Sequence, residues 1–116
     1  MDSDGRQTWA RLLTRFAAEE TDVAAGCMMS AEALTFASKV FAFYSTKGGR
    51  IGLGCRLGRD YPIASLGLGD WQYLAPFKTK PPMRDWIVAG VGDLEKWPEL
   101  CALALDLARN GKRPQP

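Results

Sequence analysis

Three cysteines, eight aspartates and no histidine bound the chemistry open to this chain. Cys27, Cys55 and Cys101 lie far apart, form no Cys-x-x-Cys pair and are odd in number, so they suggest neither a disulfide framework nor a zinc site. Without histidine the usual general base, the Ser-His and Cys-His couples and the commonest metal ligand are missing. Cys55 alternates with Leu53 and Leu57 and is expected to point inward as a small inert hydrophobe. Cys27, in a glycine-containing turn before Met28 and Met29, is the thiol expected to be exposed, although no close sequence neighbour supplies the charge a reactive thiolate needs. Asp60, Asp70, Asp85 and Asp93 follow no spacing that specifies a carboxylate pair, and capping or turn roles account for most of them. The glycines of the run from Gly49 to Gly54 are in the wrong order for a dinucleotide fingerprint, and no Gly-Lys-Ser or Gly-Lys-Thr loop occurs. The sequence therefore assigns no catalytic residue, no metal ligand and no cofactor.

Charge and aromatic residues carry the remaining signal. Residues 39–84 hold eight Lys and Arg against Asp60 and Asp70, a local balance of +6, while the flanks sum to −4 to give the overall +2. With Phe41, Phe43 and Arg56 on one hairpin face, this arrangement invites a nucleic-acid reading, in which bases stack on the rings and cations follow phosphate. The competing reading packs Phe41 and Phe43 under a helix or another subunit and leaves the cations solvated; it is favoured because +2 falls short of a dedicated binder's basic footprint. Arg84-Asp85-Trp86 offers anchor residue types for a protein partner or a homodimer, against the alternative that Trp86 lies in the core opposite the last helix.

These residues must be positioned by a single domain. At 116 residues with 47% apolar content, the chain can build a core without staples. No apolar run reaches the ~18 to 20 residues of a membrane span, and the start lacks the features of a secretory signal, so a cytoplasmic setting without membrane attachment is expected. Trp9, Leu12, Leu13 and Phe16 recur at helical spacing and predict an amphipathic helix over Thr8–Glu20, ended by Thr21-Asp22. Val23 to Ala37 reads as one or two irregular strands. Lys47-Gly48-Gly49-Arg50 separates two strand-like runs, and with Gly48 and Gly49 as the turn, Tyr44 faces Leu53, Ala42 faces Cys55 and Val40 faces Leu57 on the core side. The other side pairs Ser45 with Gly52, Phe43 with Gly54 and Phe41 with Arg56, and laying Phe43 over Gly54 restores a strand weakened by glycine. A short helix over Asp60–Leu66, a strand over Trp71–Phe77 and a last strand over Met83–Ala89 follow. The final helix starts at Asp93 or, because of Pro98, only near Trp97, and stops at Asn110-Gly111 before a mobile tail. This order predicts a two-layer α+β domain, an antiparallel β-sheet with helices on one face.

Several short motifs recur in a recognisable order: Gly26-Cys27-Met28-Met29-Ser30, Phe41-Ala42, Arg56-Leu57, Pro76-Phe77, Pro82-Met83-Arg84-Asp85-Trp86-Ile87 and Trp97. In this order they resemble the TfoX N-terminal domain family over about 70% of the chain, from Gly26 to Ala108. Pro82 to Ile87 is the most specific match. Cys27, Met29, Ser30 and Gly58 depart from the family pattern. The resemblance implies an α+β fold like that of type III secretion chaperones and YjbR-like proteins, and a bacterial regulatory role related to competence genes. The second, helical domain of TfoX lies outside the matched region, so its functions are not expected here. The expectation is a non-enzymatic interaction or regulatory module working through either the face of Phe41, Phe43 and Arg56 or the surface near Arg84 and Trp86, with nucleic-acid binding as the alternative.

Overall fold

Trp9, Leu12 and Phe16 lie on one stripe, and helix α1 (Asp2–Glu19) buries all three against the sheet. The computed structural model describes residues 2–28, 31–46, 51–58, 61–74 and 83–110. The helix begins six residues before Thr8 because Gly5, which reads as a breaker in sequence, lets the backbone approach its neighbours closely. A Cβ at that position would come within 3.2 Å of Ile51 Cγ2 and 3.4 Å of Trp97 Cη2. Asp22, with φ of 66°, turns the chain out of the helix region into the first strand.

Six strands follow: β1 (Val23–Met28), β2 (Ala31–Phe36), β3 (Lys39–Ser45), β4 (Gly52–Arg56), β5 (Trp71–Leu74) and β6 (Met83–Gly90). They form one antiparallel sheet in the order β1-β2-β3-β4-β6-β5. Val23 to Ala37 thus contains two regular strands. Ala37 and Ser38, with φ of 51° and 73°, form the tight connection from β2 to β3; both residues take the left-handed conformation without the Asn-Gly or Gly-Gly signature that usually marks it. A 3-10 turn (Ile63–Leu66) replaces the expected short helix. The C-terminal helix splits into a 3-10 segment (Val91–Lys96) and α2 (Trp97–Asn110), so regular helix starts at Trp97 and places Pro98 in its first turn, where a missing N–H costs little. Among the described residues, no helix is long and apolar enough to cross a membrane. The turn at Gly48-Gly49, the end of the Trp71–Phe77 strand, Asp60 and the C-terminal tail lie outside the described residues.

The central hairpin has the register read from sequence, with Tyr44 opposite Leu53, Ala42 opposite Cys55, Phe43 opposite Gly54 and Ser45 opposite Gly52. Ala42, Tyr44, Leu53 and Cys55 face the helices and join the main core with Trp9, Phe16, Trp97, Leu100 and Cys101. Two expectations are corrected. In β2 and β3, Leu34 pairs with Ala42 and Thr35 pairs with Val40, which leaves Phe41 as the extra residue of a bulge. The bulge breaks the alternation, so Phe41 turns into the main core, 1% exposed, and Val40 packs against the opposite face.

That opposite face carries a second cluster supplied by strands: Ala33, Phe43, Leu74, Trp86 and Val88. A Cβ at Gly54 would overlap the Phe43 ring, so the ring lies flat on the glycine as the pairing requires. Gly54→Ala is expected to lower stability by about 1–3 kcal/mol by forcing Phe43 off its seat. Urea midpoints check this, and combining it with Phe43→Leu should cost less than the sum of the two single changes because both act at one contact.

Candidate functional site

The face of the sheet away from the helices holds three of the five residues singled out by sequence. Phe43 of β3 and Trp86 of β6 meet edge to face, with ring centroids 5.5 Å apart at 64°. Arg56 ends β4 directly opposite Trp86 and is exposed. The glycine between the strands, Gly54, pairs with Phe43 on one side and Val88 on the other, which brings the two aromatic rings across β4 into contact. Phe43 and Trp86 are 3% and 7% exposed, so neither ring presents an open face. The working surface expected from Phe41, Phe43, Arg56 and Trp86 is therefore corrected: the aromatic members are packed into the fold, and Arg56 remains as the exposed cation at their border. The Arg84 side chain lies outside the described residues.

A second constellation was not legible as a unit. Asp93 is buried in the 3-10 segment, where its φ of −113° breaks the helical path, and its carboxylate does not cap the helix. It accepts hydrogen bonds from the backbone N–H of Gly69 at 3.0 and 3.1 Å and from that of Asp70 at 2.7 Å. In the reverse direction Asp70 Oδ2 accepts from Gly92 N–H at 3.1 Å, and the Asp70 carbonyl accepts from Gly90 N–H at 2.7 Å. Lys96 Nζ donates to the Leu66 carbonyl and Trp97 Nε1 to the Gly90 carbonyl, at 3.5 and 3.2 Å. The two aspartates thus staple the chain entering β5 to the chain leaving β6. Their separation of 23 residues gives sequence inspection no local pattern to detect.

The thiols divide as their surroundings dictate. Cys55 and Cys101 are fully buried between sheet and helix, and burial pushes the Cys55 thiol far up and the Cys101 thiol up to about 12. Both are held as protonated hydrophobes. Cys27 is exposed on β1. Among the described residues, no group of three or more Cys, Asp or Glu is arranged to hold a metal ion. Compared with known proteins, the chain matches no family model, no curated protein and no solved structure.

Two outcomes follow from these bonds. Asp93→Ala leaves the Gly69 and Asp70 amides without their acceptor and is expected to cost about 2–3 kcal/mol by chemical denaturation. The buried thiols bind their protons more tightly folded than unfolded, so their contribution is intact below the ordinary thiol value of 9.0 and is lost as pH rises above it. The decline is about 1.4 kcal/mol per pH unit for each thiol until the folded thiols ionise. Urea unfolding between pH 8 and about 10.5 should show a shallower decline for Cys101→Ala than for the parent chain.

Proposed function

We propose that this domain is a non-enzymatic interaction module of the regulatory kind implied by its resemblance to the TfoX N-terminal domain, acting in the cytoplasm on a protein partner. The observation that carries this reading is the placement of Arg56: an exposed cation at the end of β4, opposite Trp86 in the strand register, on a sheet face closed by the Phe43–Trp86 contact. An exposed cation bordered by packed aromatic residues suits recognition of an acidic group on another protein. The chemically capable side chains inside the fold support it too. Asp70 and Asp93 hold backbone amides, Glu32 accepts from the Trp9 indole at 2.9 Å, and two of the thiols are raised by burial.

Nucleic-acid binding remains the second reading because of the basic balance of residues 39–84 and the exposure of Arg56. The two rings on the Arg56 face do not favour it, since Phe43 and Trp86 are buried against each other and offer no open face for base stacking.

A photo-crosslinking residue in place of Gln72, exposed on the same face opposite Val88, tests both. In living cells the expected result is a defined protein adduct that resists nuclease and falls about tenfold when Arg56→Glu is added, with the melting temperature unchanged. A nuclease-sensitive adduct would transfer the assignment to the second reading. An adduct indifferent to Arg56→Glu would remove the proposed surface.

A further inference from the structure

Strand β1 ends the sheet, and among the described residues it pairs with β2 alone. Ala24, Ala25, Gly26 and Cys27 are all exposed. Edge strands usually carry a lysine, a proline or a bulge that discourages further pairing. Val23–Met28 has none of the three: its sequence is uncharged, and its register with β2 runs without a break.

The direction of the free backbone groups follows from the bonds already made. The Asp22 carbonyl accepts from Ala37 N–H at 3.0 Å, and the Ala24 carbonyl accepts from Thr35 Oγ1 at 3.2 Å, so Asp22 and Ala24 turn toward β2. Antiparallel alternation then turns Val23, Ala25 and Cys27 outward. The Val23 N–H is already engaged by the Glu20 carbonyl at 3.4 Å. What the edge offers is therefore the Val23 carbonyl and both backbone groups of Ala25 and Cys27.

We propose that two copies of this chain associate by antiparallel pairing of β1 with β1 about a twofold axis at Ala25, extending the sheet across the dimer. This register uses four of the five free groups of each strand and leaves the Cys27 carbonyl, opposite the engaged Val23 N–H, without a strand partner. The two Ala25 residues exchange N–H and C=O, and each Cys27 N–H meets the Val23 carbonyl of the opposite copy. A second copy fits this edge better than a foreign strand. Ala24, Ala25 and Gly26 form no pockets to read another peptide's side chains, which is where strand-addition sites gain specificity. The antiparallel arrangement also brings the acidic entry at Glu20 and Asp22 against the uncharged end at Met28, so like charges do not meet. The opposite sheet edge, β5, has a register break at Tyr73/Leu74, which makes it a poor partner for β1 and favours a closed dimer over a filament.

The test is sedimentation equilibrium of the full chain with three variants. The parent chain should show a monomer–dimer equilibrium at micromolar to millimolar concentration. Ala25→Pro removes an N–H that β2 does not use and should weaken association at least tenfold. If that variant does not fold, Ala25→Lys, which places like charges face to face on the axis at an exposed position, serves in its place with the same expectation. Ala25→Cys combined with Cys27→Ser should give a disulfide-linked dimer under mild oxidation. A parent chain monomeric throughout, dimerisation unchanged in a folded Ala25→Pro or Ala25→Lys variant, or failure of Ala25→Cys to cross-link would each overturn the proposal.

Discussion

Tyr44 is the ring on which the two layers meet. It projects from β3 between Trp9 of α1, 6.0 Å away and nearly parallel, and Trp97 of α2, 6.4 Å away and edge on. The helices come from opposite ends of the chain, and this one side chain gives both a shared surface in the sheet. Trp97 is further fixed by its indole N–H on the Gly90 carbonyl and Trp9 by its indole N–H on Glu32, so each large ring buries its apolar body and still satisfies its polar atom. The Arg6 guanidinium lies 5.4 Å from the Tyr44 ring centre, covering the aromatic stack from the helix side.

With both helices on that face, the other side of the sheet must be closed in a different way. The strands do it with their own side chains. Phe43 occupies the space that Gly54 leaves and meets Trp86 beyond it, and all residues from Phe41 to Ser45 are buried. The exposed cation of Arg56 therefore stands at the border of a closed aromatic cluster. The Asp70–Asp93 staple does similar work at the sheet's far end, joining β5 to the segment that leads into α2.

The sequence conveys the parts of this fold that depend on local spacing. The stripe on α1, the hairpin register and the seating of Phe43 on Gly54 each follow from residues a few positions apart or across one tight turn. What could not be read depends on contacts between distant segments. The bulge at Phe41 exists because β2 and β3 are offset by one residue, and nothing in Val40-Phe41-Ala42 announces it. The left-handed pair Ala37-Ser38 is imposed by two strands that must meet, against the preference of alanine. Gly5 lies within the helix, where a side chain would press on Ile51 at 3.2 Å, a contact its neighbours in sequence do not reveal. Alternation placed Phe43 and Arg56 on one face of the hairpin; it could not show that Trp86 of β6 shares that face, nor the ring-on-ring closure that removes Phe43 and Trp86 from solvent.

The strand order has a consequence for synthesis. The first four strands are neighbours in sequence and can pair as soon as each is made, but the inner side of β4 is completed by β6, the last strand, and not by β5. A nascent chain that has not yet delivered Gly90 from the ribosome thus carries β4 as a temporary border, with Leu53 and Cys55 open to any passing strand. Closure of the sheet waits for β6, and the aspartate staple is available to hold that strand in place only after Asp93 has followed it.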